Sequence, residues 1–168
     1  QQIDVVVSMG DDTVILTTGG RSEDYARKIL ELPEHSFIQM GDFSGYAISQ
    51  CAKKGIKKVY VGGFIGKFAK MATGVKQTHV KGSKVNMEFL SELAKKCKAE
   101  ENIIKKIKTA NTARNVQEII LGSNVVGFFD EICSNVYKHM KSHSESKTSI
   151  EIILFDFDGD VLGRHPKQ

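Results

Sequence analysis

The chain has 168 residues, of which 40% are hydrophobic and 26% charged, with a net charge of +4. This is one globular domain's worth of sequence, neither disordered nor collagenous. No apolar run reaches the ~18 residues of a transmembrane helix, no signal-peptide pattern opens the chain, and twenty lysines against four arginines argue against a protein that reads nucleic-acid bases, since arginine is the better bidentate reader.

Residues 1–9 are β-branched enough for a strand, but they also read as the tail of a helix ending at Gly10. Residues 13–18 form a short β-branched run that ends at Gly19-Gly20. A helix is expected from Ser22, an N-cap residue followed by Glu23 and Asp24, which suit the positive end of the helix dipole. Residues 37–40 make a second strand, ending at Gly41. Asp42 is expected to cap the next helix, with Phe43, Ala47, Cys51 and Ala52 inward and Gly55 as its stop. Residues 58–61 make a third strand before Gly62-Gly63, and a third helix runs over 64–73 to Gly74. Three strand–glycine–helix units in succession predict a parallel sheet with crossover helices.

The middle of the chain is helical. Asn86 caps one segment, with Val85 and Leu90 as its hydrophobic staple. Residues 100–107 and 112–121 carry further apolar stripes, and the longest stripe runs from Val125 to Met140. Residues 142–149 read as a polar loop, 150–157 as a strand, and 158–160 as a turn into a short return strand. The fold class is therefore α/β: a Rossmann-like three-layer sandwich with a mostly parallel sheet and a helical segment before the last strand.

Several strings imitate catalytic motifs. Phe155-Asp156-Phe157-Asp158-Gly159 resembles the nucleophile loop of haloacid-dehalogenase-type phosphatases, with Asp156 and Asp158 as the carboxylates. That loop normally opens a long α/β core, and here few residues follow, so a hairpin turn is the simpler reading. Gly62 through Lys67 is half a phosphate loop, lacking glycine at Val61 and Ser or Thr at Phe68. Cys51, Cys97 and Cys133 form no CxxC pair and read as reduced, buried thiols of a cytosolic protein rather than as nucleophiles. His139 and His143 are four apart, but nothing in the sequence completes a metal site around them. His79 lies in a polar loop after the third helix, where chemistry or simple surface placement are both open. Glycines at the carboxyl ends of three successive strands leave room for a ligand beside the backbone, or merely make tight turns.

The strings Thr18-Gly19-Gly20-Arg21-Ser22-Glu23-Asp24-Tyr25-Ala26, Phe37 through Phe43, Gly62 through Lys67, Thr78-His79, Val85 through Leu90 and Ala110-Asn111-Thr112-Ala113 together resemble the CbiD family. Their order and spacing over residues 13–115 carry the resemblance. Val80 stands where the family has Ser, and Asn86 where it has Asp. Members carry a further N-terminal domain and a Gly-Thr-Thr-Gly type segment that would precede residue 1. Gln1 in place of Met agrees with reading this chain as the C-terminal piece, residues 1–168 forming a single domain.

The resemblance implies a cytoplasmic, S-adenosyl-L-methionine-dependent enzyme that methylates C-1 of cobalt-precorrin-5B in anaerobic cobalamin biosynthesis. No protein-bound metal is implied, because the cobalt belongs to the substrate. It also implies a corrinoid tetrapyrrole and the N-terminal domain as partners, with a homo-oligomer as a further option. Gly19, Gly20, Arg21, Gly41, Asp42, Gly62 and Gly63 are the implied cofactor contacts. Lys67, Lys70, Lys76 and Lys81 would face the substrate carboxylates, and His79 and Asn111 the reacting carbon, although a helix N-cap also accounts for Asn111. A non-catalytic ligand-binding or assembly domain of the same enzyme is the alternative reading.

Overall fold

The computed structural model describes residues 1–78 and 84–167. The ambiguous start is helical: α1 is Gln2–Ser8. Three βα units follow, as the sequence predicts: β1 (Thr13–Thr17), α2 (Gly20–Ile29), β2 (Phe37–Gln39), α3 (Ser44–Lys53), β3 (Lys58–Gly63) and α4 (Ile65–Met71). The helical middle is α5 (Met87–Lys96), α6 (Glu101–Lys108), α7 (Ala113–Leu121) and α8 (Phe128–His143), and the chain closes with β4 (Ser149–Phe155) and β5 (Val161–His165). No helix among the described residues is long and apolar enough to cross a membrane.

The five strands lie in the order β2-β1-β3-β4-β5. The first three pairings are parallel and β4/β5 is antiparallel. Alternation decides which side chain serves which face. Val14, Leu16, Val59, Val61, Ile150, Ile152 and Leu154 join one large core with α3–α5, α7 and α8. Ile15, Phe37, Ile153 and Phe155 face the other side, where Ala26 and Tyr25 of α2 cover them. The two helical layers are thus very unequal, because the crossover from β3 to β4 deposits α4–α8 on a single face.

The longest helix, α8, buries Phe128, Phe129, Ile132, Cys133, Val136 and Met140. These positions follow the i, i+4 spacing of one helix face, and each full burial of a large side chain stabilises by roughly 1.5–3 kcal/mol. The return strand β5 lies so close to α8 that a Cβ at Gly163 would stand 2.7 Å from the Phe129 carbonyl. Only a residue without a side chain fits there.

Local chemistry places several helix starts differently from the sequence reading. Helix α2 begins at Gly20 with Gly19 as its N-cap, not at Ser22. The Ser22 hydroxyl works from inside the first turn instead: it accepts from Gly19 N at 3.1 Å and donates to Gly19 O at 2.9 Å. Asp42 does not cap α3, whose N-cap is Phe43, with no side-chain cap bond. Phe43 is not inward either, being 53% exposed. At α7 the cap is Thr112, whose Oγ1 accepts from Asn115 N at 3.0 Å, and not Asn111. The expected cap Asn86 does accept from Phe89 N, at 3.0 Å.

Candidate functional site

The chain leaves β1 for β2 on one side and then returns to β3 on the other. Such a reversal opens a crevice beyond the carboxyl ends of the two central strands, the usual ligand position of open α/β sheets. Here it is a cavity of about 890 Å³, bounded by residues 18–22 after β1 and 64–67 after β3. Residues from 84–87 and 110–114, with Phe157 from the β4–β5 turn, complete the wall.

The rim after β1 is rigid. Thr18 N donates to Gly62 O at 3.2 Å, and the Thr18 and Ser22 hydroxyls lie 3.3 Å apart. Ser22 is fully buried, so this turn presents the backbone of Gly19 and Gly20 and the side chain of Arg21 to the cavity. Arg21 donates from Nη2 to Phe157 O at 2.6 Å and to Tyr25 Oη at 3.3 Å, and Tyr25 Oη donates to the same carbonyl at 2.9 Å.

An aromatic wall faces that rim. The Phe64 and Phe157 rings stack with centroids 5.0 Å apart at 17°. The Arg114 guanidinium lies 4.3 Å from the Phe157 ring centre, and that of Arg21 lies 5.7 Å from the Phe64 ring centre. Sequence reading missed Phe64, Phe157, Lys84 and Arg114. Phe64 follows the strand glycines directly and Arg114 follows the Ala110–Ala113 string, so both lay beside recognised motifs. No local signal pairs Arg114 with Phe157, which lies 43 positions further along.

Of the expected cofactor contacts, Gly19, Gly20 and Arg21 line the cavity. Gly62 and Gly63 do not: they belong to β3, where a Cβ at Gly62 would meet Phe155 at 3.3 Å and one at Gly63 would meet Thr18 at 2.7 Å. They are packing glycines beneath the site, which also removes the half phosphate loop as a cradle. Gly41 stands apart from the cavity in a turn at φ +57°. Asp42 is likewise outside the wall and organises it from behind. It pairs with Lys67 Nζ at 2.9 Å, accepts from Thr78 Oγ1 at 3.1 Å, and its carbonyl accepts from Thr78 N at 2.9 Å.

Lys67 and Lys70 line the cavity. Lys67 also donates to Thr18 O at 3.1 Å and Lys70 to Thr78 O at 2.9 Å, which fixes both ammonium groups near the rim. Lys76 is placed elsewhere: its side chain packs over Gly45, beside a smaller pocket that includes His143. Asn111 lines the main cavity. The expectations at His79 and Lys81 fall outside the described residues.

The wall is electrostatically one-sided. Five cations line it (Arg21, Lys67, Lys70, Lys84 and Arg114), and no Asp, Glu, His or Cys does so among the described residues. Candidate groups elsewhere have other occupations. Asp156 Oδ1 accepts from the backbone N–H groups of Asp158 and Asp160, both at 2.9 Å, which makes it the organiser of a hairpin turn rather than a poised nucleophile. Burial pushes the Cys51 thiol up to about 12 and raises Cys133 further, so neither yields thiolate at neutral pH. Burial, with Lys76 and His139 nearby, lowers the pKa of His143. Among the described residues no three His, Cys, Asp or Glu side chains gather as a metal site.

A family model described as the C-terminal domain of CbiD matches residues 77–166. A protein of Priestia megaterium named cobalt-precorrin-5B C(1)-methyltransferase is 38% identical over 165 residues, covering 98% of this chain and 45% of its own length. Proteins with the same name from Leptospira interrogans and Leptospira borgpetersenii are 41% identical over 165 residues and 44% identical over 154 residues. They are covered over 45% and 42% of their lengths, so the chain spans about half the length of the curated relatives it matches. No solved structure matches the chain.

Proposed function

Since this chain belongs to the CbiD family, we propose that it supplies the corrinoid-facing half of a cytoplasmic enzyme that methylates C-1 of cobalt-precorrin-5B in anaerobic cobalamin biosynthesis. The observation that carries the reading is the cavity of about 890 Å³ at the switch point of the sheet, lined by five cations and by stacked aromatic rings. Sites for small organic ligands have this size, and they combine apolar walls with a few polar anchors. The corrinoid precursor carries acetate and propionate groups, for which the cavity-lining Arg21, Lys70 and Arg114 supply opposite charge.

Methyl transfer asks a protein chiefly to position two partners. The described wall agrees with that demand, because it holds no Asp, Glu, His or Cys and offers hydrogen-bonding and stacking groups. Asn111 at the mouth of α7 is the neutral polar group nearest that role. A cationic sulfonium donor does not suit the same wall. Its positive charge would sit among five cations, and among the described residues no carboxylate lines the cavity to take the hydroxyl groups of a ribose. The part of such an enzyme that corresponds to the remaining length of the relatives would hold the donor and close the site.

The reading is tested by a chimaera. This chain replaces the matching segment of the Priestia megaterium protein, and the product is incubated with S-adenosylmethionine and cobalt-precorrin-5B. Gain of one methyl group at C-1, seen by mass spectrometry and isotope labelling, is expected. A folded chimaera that produces no methylated corrinoid would overturn the reading.

A further inference from the structure

We propose that Lys67, although it lines the cavity, is not a contact for the substrate: with Asp42 it forms a positioning clasp that holds the three βα turns and Thr78 in one arrangement. For its catalytic consequence the inference rests on the methyltransferase reading, but the clasp itself can be tested without activity. The Lys67 ammonium donates to Thr18 O at 3.1 Å and pairs with Asp42 Oδ1 at 2.9 Å. Thr18 follows β1, Asp42 follows β2, and Lys67 stands in the first turn of α4, after β3. One charged group therefore ties together the turns that leave three adjacent strands. The Lys67 and Asp42 side chains are only 37% and 28% exposed, so salt screens their pair less than it would one on the open surface.

The same carboxylate carries the clasp to a fourth segment. Thr78 is buried, and all of its polar groups are engaged. Its N–H donates to Asp42 O at 2.9 Å, its hydroxyl donates to Asp42 Oδ1 at 3.1 Å, and its carbonyl accepts from Lys70 Nζ at 2.9 Å. Two residues earlier, Lys76 O accepts from Gly45 N at 3.0 Å, and a Cβ at Gly45 would stand 2.5 Å from Lys76 Cβ. Asp42 Oδ1 thus serves Lys67 and Thr78 at once, so a displaced Lys67 is felt at Thr78. The two lysines divide the work. Lys70 has no carboxylate partner among the described residues, and its charge remains available to a ligand. The charge of Lys67 is answered inside the protein, and turning it toward a ligand would break a charged pair.

Two measurements test the clasp: amide hydrogen exchange on the chain and kinetics on the chimaera. Asp42→Asn removes the charge that holds Lys67 and keeps an oxygen for Thr78. Lys67→Met removes the ammonium and keeps the bulk of the stem. In each variant, exchange at the Thr78 and Gly45 amides should quicken by about tenfold or more, the scale of a lost bond to a charged group. Exchange at Ile152, in the centre of β4, should quicken less. In the chimaera both variants should lower kcat by about ten- to a hundredfold and change KM by less than about threefold, because misplaced groups cost rate rather than binding. The double variant should be no slower than the slower single one, since both break the same pair. Lys67→Arg, which keeps the charge and the donors, should recover most of kcat.

Thr78 and Gly45 amides that exchange at the parent rate, or that quicken no more than Ile152, would overturn the proposal. So would a Lys67→Met variant that raises KM at unchanged kcat, which is the mark of a lost substrate contact, or effects of Asp42→Asn and Lys67→Met that multiply. A chimaera that methylates while exchange at Thr78 and Gly45 stays at the parent rate defeats this inference alone. A chimaera that does not methylate while those amides respond defeats the methyltransferase reading alone.

Discussion

Replacing Gly63 by alanine places one methyl group where the end of β3 supports the cavity rim. That methyl would stand 2.7 Å from Thr18 Cγ2, 2.8 Å from Phe68 Cε1 and 2.9 Å from Thr18 Oγ1. Neither neighbour can retreat. Phe68 is fully buried, and Thr18 is 7% exposed and held by its backbone bond to Gly62 and its hydroxyl contact with Ser22. Overpacking of this kind costs about 1–3 kcal/mol, and the reduced freedom of the unfolded chain offsets roughly 0.5–1 kcal/mol of it. A net loss of about 1–2 kcal/mol is expected, or a melting temperature lower by about 2–8 °C for a chain of this length.

Gly66→Ala is the matched control. Nothing lies within 4 Å of its added methyl, and a helical alanine in place of glycine should stabilise by up to about 1 kcal/mol while intruding on the cavity that Gly66 lines. Urea unfolding followed by circular dichroism reads both variants. Adding Thr18→Ala to Gly63→Ala should recover part of the loss, since it removes two of the three close contacts. A Gly63→Ala midpoint equal to the parent's, with an unchanged urea slope, would refute the argument that β3 and the rim are packed to contact.

Other consequences are as definite. Thr112→Ala should cost about 1 kcal/mol in urea unfolding as an N-cap loss, whereas Asn111→Ala should leave stability within about 0.5 kcal/mol; equal losses would contradict the cap assignment. Asp156→Ala should destabilise by about 1–3 kcal/mol, because two turn N–H groups lose their acceptor, and an unchanged unfolding midpoint would show that the turn does not depend on it. His143 has a lowered pKa in the folded chain through burial, Lys76 and His139, so the unfolded chain takes up its proton first as pH falls. The native state should therefore lose stability on acidification from the ordinary histidine value near 6.5 down to the lower folded value. His143→Gln should flatten that part of the melting-temperature profile, and a profile identical to the parent's would count against a partly buried imidazole with a lowered pKa.

What the sequence determined by itself is whatever short-range periodicity and local chemistry encode. Alternating β-branched runs ending in glycine gave β1, β2 and β3 their places, the spacing from Phe128 to Met140 gave α8 its buried face, and Asn86 capped α5 as its side chain dictates. Gly19, Gly20, Arg21, Lys67, Lys70 and Asn111, which the family resemblance implied as contacts, all line the cavity. Gly62 and Gly63 look the same in sequence, yet only the approach of Thr18, Phe68 and Phe155 in three dimensions assigns them to packing. Asp42 has the chemistry of a cap, and tertiary placement of Lys67 and Thr78 gives it a stronger use. The meeting of Phe64, Arg114 and Phe157 in one wall had no local signal in the sequence. Its members come from three distant segments, and they meet because the long crossover lays α7 beside the switch point while the β4–β5 hairpin folds back across the same sheet end. Local propensity fixes which elements form, but the order of strands in the sheet decides which of their ends share a cavity.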